Sequence, residues 1–176
     1  LTHRAVECAR RARDAVRPDA LILGSVAPLE ECYAPELAPD EATCAREHRE
    51  LVEHLVSGGV DLVVLETMTC LREARAAIGA ARSAAPERWA VSFTMAAGDE
   101  PGLLLSGEPV RDLLSELEDA HAVGINCVSA TAMQREVAML RTLLPDHVPV
   151  MAYANVGEAA DDGNWISTDA VEPARY

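Results

Sequence analysis

An α/β fold built on a parallel sheet is what this sequence predicts, on three observations. Short apolar, β-branched runs alternate strictly with helical periodicities, the pattern of βαβ units with right-handed crossovers. The clearest run, Val60-Asp61-Leu62-Val63-Val64-Leu65-Glu66-Thr67, is almost unbroken in its apolar character, as strands covered by helices on both faces are. Every strand also ends in a small or polar group: Gly24-Ser25, Glu66-Thr67, Phe93-Thr94, Asn126-Cys127 and Asn155. Such ends suit a ring of strands converging on one mouth, a (β/α)8 TIM-type barrel. An open doubly wound sheet would gather them near one switch point. No Gly-x-Gly-x-x-Gly follows a strand and no Walker-type loop is present, so nucleotide-binding doubly wound folds lose support.

The elements follow in order. Thr2 to Val16 is an amphipathic helix with Ala5, Val6, Ala9, Ala12 and Val16 on one face, stopped by Arg17-Pro18-Asp19. Ala20 to Ala27 is a strand. Pro28 to Asp40 holds three prolines and is too long for an ordinary turn, the kind of loop that is usually functional. Asp40 or Glu41 opens a helix through Ser57, with Leu51, Val52, Leu55 and Val56 inward, and Gly58-Gly59 closes it. After the Val60–Thr67 strand, Leu71 to Ser83 forms a helix on Ala74, Ala77, Ile78 and Ala81, broken by Pro86. Trp89 to Met95 is the third strand. A glycine-rich connection, 96–108, leads to a helix over Val110–Leu117, with Pro109 suited to its first turn.

Ala122-Val123-Gly124-Ile125-Asn126-Cys127-Val128-Ser129 is a buried strand that delivers an amide and a thiol to its end. A helix from Thr131 follows, with Met133, Val137, Leu140 and Leu144 inward. The last strand is Val148 to Asn155, and Asp169 with Glu172 resembles a further helix start. Five strands where a barrel has eight, with both chain ends inside helical patterns, point to a partial barrel domain over 1–176 lacking the first strands and the last.

Composition limits the function classes. The chain has 176 residues, 49% of them hydrophobic, which excludes disorder. A net charge of −14 argues against nucleic acid and anionic membrane surfaces as partners. No stretch approaches the ~18 apolar residues of a membrane span. The five cysteines are odd in number, scattered and without a CxxC, which fits a reducing, cytoplasmic compartment.

The site candidates sit at strand ends, and each has a plain reading beside a functional one. Cys127 is a core-filling thiol or a ligand. Glu66 caps the next helix, pairs with Arg72, or binds a cation. Asn126 and Asn155 satisfy loop backbone or orient a ligand. His48 and His54 are six apart, a spacing that does not make a metal pair on one helix face. His3, His121 and His147 fall at element edges, and Glu116-Leu117-Glu118-Asp119 reads as a solvated helix end.

Six motifs in order, Gly24-Ser25-Val26-Ala27-Pro28, Leu65-Glu66-Thr67-Met68, Ser92-Phe93-Thr94, Leu105-Ser106-Gly107, Gly124-Ile125-Asn126-Cys127 and Tyr153-Ala154-Asn155-Val156-Gly157, together resemble the homocysteine S-methyltransferase family. The resemblance runs over essentially the whole chain. It implies a zinc-dependent barrel that moves a methyl group from a sulfonium, betaine or methylated folate donor to homocysteine, giving methionine. It also implies that Cys127 is one of three zinc cysteines, and that Glu66 receives the substrate ammonium, with Ser25, Asn126 and Asn155 in the substrate site. The family's other two zinc ligands form a Gly-Gly-Cys-Cys pair, which this chain lacks. One thiolate does not hold a four-coordinate zinc, so the zinc site is incomplete and this chain alone is expected to be inactive. The competing expectation is a non-catalytic barrel remnant or interaction module, self-associating through open barrel edges.

Overall fold

The computed structural model describes residues 1–155, together with the backbone of 158–159 and 165–166. Its element order is α1 (Thr2–Val16), β1 (Leu23–Val26), α2 (Glu41–Gly58), β2 (Leu62–Met68), α3 (Leu71–Ala84) and β3 (Trp89–Phe93). These are followed by α4 (Leu114–Leu117), β4 (Ala122–Ser129), α5 (Ala130–Leu143) and β5 (Val150–Asn155), and by two short strands, β6 (Glu158–Ala159) and β7 (Trp165–Ile166), that pair antiparallel. Strands β1 to β5 form one parallel sheet in sequential order. That order has no reversal and hence no switch point, as the strand ends predicted. The expected helix start at Asp169 and Glu172, like Val156-Gly157, lies outside the described residues.

Local chemistry explains where the elements begin and end. Asp40 caps α2 by accepting from Thr43 N at 3.0 Å and from Thr43 Oγ1 at 3.0 Å. Gly59, at φ 89°, ends the same helix in the left-handed region that glycine enters without a Cβ penalty. Ser129 caps α5 by accepting from Ala132 N at 3.2 Å. The face of the sheet toward the helices carries Val63, Leu65, Trp89, Val91, Phe93, Val123 and Ile125, all buried against the Ala74, Ala77, Ile78 and Ala81 stripe of α3 and against Met133 and Leu140 of α5. Each large apolar side chain buried in this way contributes about 1.5–3 kcal/mol.

Several expectations are corrected. On α1 only Val6 is buried; Ala5, Ala9, Ala12 and Val16 are exposed. The helix instead turns Val6 and Arg10 toward the end of α2, where Arg10 Nη2 donates to Gly58 O, and Arg13 approaches Asp61 at 3.5 Å. On α2 the fully covered positions are Cys44, His48, Val52 and Leu55, while Leu51 and Val56 are half-buried. Strand β1 begins at Leu23 rather than Ala20, and β3 stops at Phe93, with Met95 forming only a bridge to Leu104. The expected helix over 110–117 is a 3-10 turn, Val110–Leu113, followed by the single α-turn of α4, and Pro109 precedes it. The acidic run 116–119 lies at a solvated helix end, as expected, with Glu118 and Asp119 exposed; at that surface Glu116 pairs with Arg75 at 3.1 Å and Asp119 with Arg82 at 2.9 Å.

Candidate functional site

The C-terminal ends of β2 and β4 overrun that of β3, and the sequence gives each of them one residue too many. Both strands bulge there: the register shifts between Leu65 and Met68 on β2 and between Asn126 and Ser129 on β4. The displaced residues, Thr67 and Cys127, have φ of 65° and 54°. Side chains with a Cβ pay roughly 1–2 kcal/mol to enter that region, and a β-branched threonine does so rarely. Bulges of this kind re-aim side chains next to active sites.

Asn126 compensates the strain. It is fully buried, its Oδ1 accepts from Thr67 N at 3.0 Å, and its Nδ2 donates to Thr67 Oγ1 at 2.8 Å and to Cys127 Sγ at 3.1 Å. A backbone N–H on Oδ1 leaves only one amide orientation, so Nδ2 must face the sulfur. Thr94, at the end of β3, closes the gap below by donating from Oγ1 to Asn126 O at 3.0 Å and from N to Met68 O at 3.1 Å. Thr67 Oγ1 lies 3.7 Å from Cys127 Sγ. Cys127 is half-buried in this polar collar rather than packed in the apolar core.

Glu66 faces the open side of the sheet. Its carboxylate accepts from Ser25 Oγ on β1 and from Tyr153 Oη on β5 at 3.0 Å. Tyr153 Oη is also 2.8 Å from Ser92 Oγ. Burial, and then the neighbouring Glu66 carboxylate, push the Tyr153 phenol far above its ordinary value, so it remains a donor to Glu66. Glu66 neither caps α3 nor meets Arg72, whose Nη2 donates to Ala38 O at 2.7 Å. At the far side of the mouth, Asn155 Nδ2 donates to Tyr33 Oη at 3.3 Å. Burial raises the Tyr33 phenol and the Cys32 thiol, and the Cys127 sulfur adds to both shifts.

Ser25, Glu66, Asn126, Cys127 and Asn155 therefore share one rim, in two clusters: Asn126 with Cys127, and Ser25 with Glu66. Asn155 stands apart from both, against Tyr33. Tyr153 and Thr67 entered the sequence reading only as members of motifs, and Tyr33 not at all; none was a site candidate. Register would have indicated Tyr153, since Asn126 is its partner on β4 and both point to the open face. Among the described residues no group of three or more His, Cys, Asp or Glu could hold a metal ion. Cys44 and Cys70 are buried thiols raised chiefly by burial, Cys44 to about 11.

The family model described as Homocysteine S-methyltransferase matches residues 1–175. The chain is 33% identical to the homocysteine S-methyltransferase of Escherichia coli (strain K12), over 92% of this chain and 55% of that protein. It is 30% identical to homocysteine S-methyltransferase YbgG of Bacillus subtilis (strain 168), over 82% of this chain and 47% of that protein. The crystal structure of the homocysteine methyltransferase MmuM from Escherichia coli, in its metallated form, superimposes with a TM-score of 0.75 at 27% identity, covering 89% of this chain and 58% of that one. The chain thus spans about half the length of the curated relatives it matches.

Proposed function

This chain belongs to the homocysteine S-methyltransferase family, and from that premise we propose that its rim is the thiol-binding part of a barrel that methylates homocysteine. In the reaction the substrate thiol gives up its proton, its sulfur forms a new bond to the methyl carbon, and the bond from that carbon to the donor breaks with its electron pair leaving on the donor. A sulfonium, a betaine or a methylated folate each supply such a carbon. The observation that carries the reading is the collar around Cys127, a strained and fully bonded arrangement whose one unpacked product is a half-buried sulfur with an N–H donor aimed at it. Amide donors of this kind orient and support metal-bound thiolates.

In this reading Cys127 is one zinc ligand and Asn126 positions it. Asn126 itself is engaged with Thr67 and Cys127, so it contacts substrate only through them. Glu66, with Ser25 and Tyr153 as its donors, supplies the carboxylate that receives the homocysteine ammonium. Asn155 contributes with Tyr33 at the opposite side of the mouth. The described residues alone do not make a zinc centre, so the proposal requires two further thiolates and the strands that complete the barrel, and without them we expect no turnover. The alternative reading is a barrel remnant that acts by association.

The test is metal content by atomic spectroscopy beside methyl-transfer kinetics, on protein that carries the completing cysteines. Cys127→Ser should lose both zinc and turnover, because serine is a far poorer ligand for a borderline-soft ion. Glu66→Gln should retain zinc and bind homocysteine more weakly. Zinc and turnover both intact in Cys127→Ser would end the methyltransferase reading and leave the remnant.

A further inference from the structure

Two ionisable side chains are sealed between α2 and α3 and belong to neither cluster of the rim. His48 is 0% and Glu73 2% exposed, and His48 Nε2 lies 3.1 Å from Glu73 Oε1. Packing alone does not call for them, since apolar side chains of similar volume would fill the same space with no polar group to satisfy. The same carboxylate oxygen accepts a third group, Leu29 N, at 2.7 Å. Leu29 is the third residue of the long connection between β1 and α2, and Glu73 reaches it from the first turn of α3.

We propose that the His48–Glu73 pair is the latch of the β1–α2 connection, and that both are positioning residues that hold Tyr33 over the mouth where the substrate thiol binds. His48 Nδ1 is buried without a hydrogen-bond partner. The tautomer that leaves a bare lone pair there, and not an orphaned N–H, puts the proton on Nε2, which then donates to Glu73. His48 thereby fixes the very oxygen that Leu29 uses, and an ionised acceptor makes that bond about twice as strong as a neutral one. Arg72, also in the first turn of α3, holds the other end of the connection through Ala38 O at 2.7 Å. Glu108 in turn accepts from Leu71 N at 3.0 Å and seats that first turn. Between the two anchors the connection has a single three-residue 3-10 turn, Pro35–Leu37. It carries Tyr33 to Asn155 at 3.3 Å. A connection this long, tied at both ends to one helical turn, moves as that turn allows.

The link to the thiol rests on the function proposed above; the link to the connection does not, and two measurements separate them. Amide hydrogen exchange on the chain is the first. Glu73→Gln and His48→Leu should raise exchange at Leu29 and across 31–38 by about tenfold or more, with β2 and β3 unchanged, and His48→Gln, which keeps an N–H donor, should restore most of the protection. Unchanged exchange at 29–38, or equal loss throughout β2 and β3, overturns the latch. Leu29→Pro removes the donor from the loop side and leaves the buried pair whole, so it gives the same reading if the core variants do not fold. The second measurement is steady-state kinetics of the zinc-loaded active protein. Glu73→Gln should raise the KM for homocysteine by about tenfold while kcat stays within about twofold. An unchanged KM, or a fall in kcat alone, overturns the positioning role. A wild-type protein without turnover counts against the function and leaves the exchange result standing.

Discussion

The middle of the sheet and its two flanks solve opposite problems at the same rim. On β2, β3 and β4 the end residues Thr67, Thr94 and Asn126 are buried and bond one another. On the flanking strands the open face is exposed: Leu23 at the start of β1 is 56% and Tyr153 on β5 38% exposed, and Leu21, just before β1, is 70% exposed. The middle therefore uses its polar groups internally, and their product is a fixed sulfur. Polar groups with capacity left for a ligand are Ser25 and Asn155 on the flanks and Glu66, which sits on β2 but bonds outward to Ser25 on β1 and Tyr153 on β5. Preorganisation and recognition are divided along the sheet, which is economical because a strained collar works only where the surrounding structure over-determines it.

The largest expected effect breaks the middle. Asn126→Ala leaves Thr67 N buried without an acceptor and removes the support of two left-handed residues. We expect a loss of about 2–4 kcal/mol, read from urea unfolding, against less than about 0.5 kcal/mol for Ser25→Ala on the flank. Equal losses for the two variants would show that the collar is no more rigid than the edge.

The flanks are tested by association. Unpaired strand edges with an apolar face invite edge-to-edge pairing, so the chain should self-associate in sedimentation velocity. Leu21→Lys with Leu23→Lys should shift it toward monomer without changing its circular dichroism, since charged side chains on an edge oppose pairing. A concentration-independent, reversible unfolding transition of wild-type monomer would contradict the view of these edges as open.

The same division explains what the sequence could reveal. Strands β2 and β4, the α2 cap at Asp40 and its stop at Gly59 were legible because each follows from local pattern. The rim placement of Glu66 and Cys127 was legible because strand polarity fixes it. The stripe on α1 misled because periodicity ranks faces without knowing the partner: the alanines form the apolar face, but the helix meets α2 through Val6 and Arg10. The collar was illegible because strain at Thr67 and Cys127 is set by register across three strands. His48 escaped as a loner, its partner Glu73 being 25 positions away on another helix.

A smaller effect separates buried from exposed thiols. Cys44 is wholly buried, and burial first, then Glu73, lifts its thiol from 9.0 to about 11. A raised folded-state value means stability that is complete below about pH 9 and is lost as pH rises through about 11. Cys44→Ala should flatten that part of the stability profile. Alkylation followed by mass spectrometry should label Cys8, which is exposed, well before Cys44 and Cys70. Simultaneous labelling of all three would mean that the α2–α3 layer opens as readily as the surface.

The smallest effect is read on a single phenol. Tyr153 is raised by burial before anything else, is lowered by its bond with Ser92, and is raised again by the Glu66 carboxylate. Glu66→Gln removes only the last of these causes. The Tyr153 titration, followed by ultraviolet absorbance against Tyr153→Phe as the blank, should therefore move down yet stay above the ordinary value of about 10. The fold should lose less than about 1 kcal/mol, since Ser25 and Tyr153 keep an acceptor in the glutamine oxygen. In stability, the raised phenol contributes a term that is complete below about pH 10 and falls as pH climbs past it, and the variant should show a slightly shallower fall. If the titration did not move, Glu66 would be turned away from Tyr153 in solution. The flank would then lack the carboxylate network that distinguishes it from the middle.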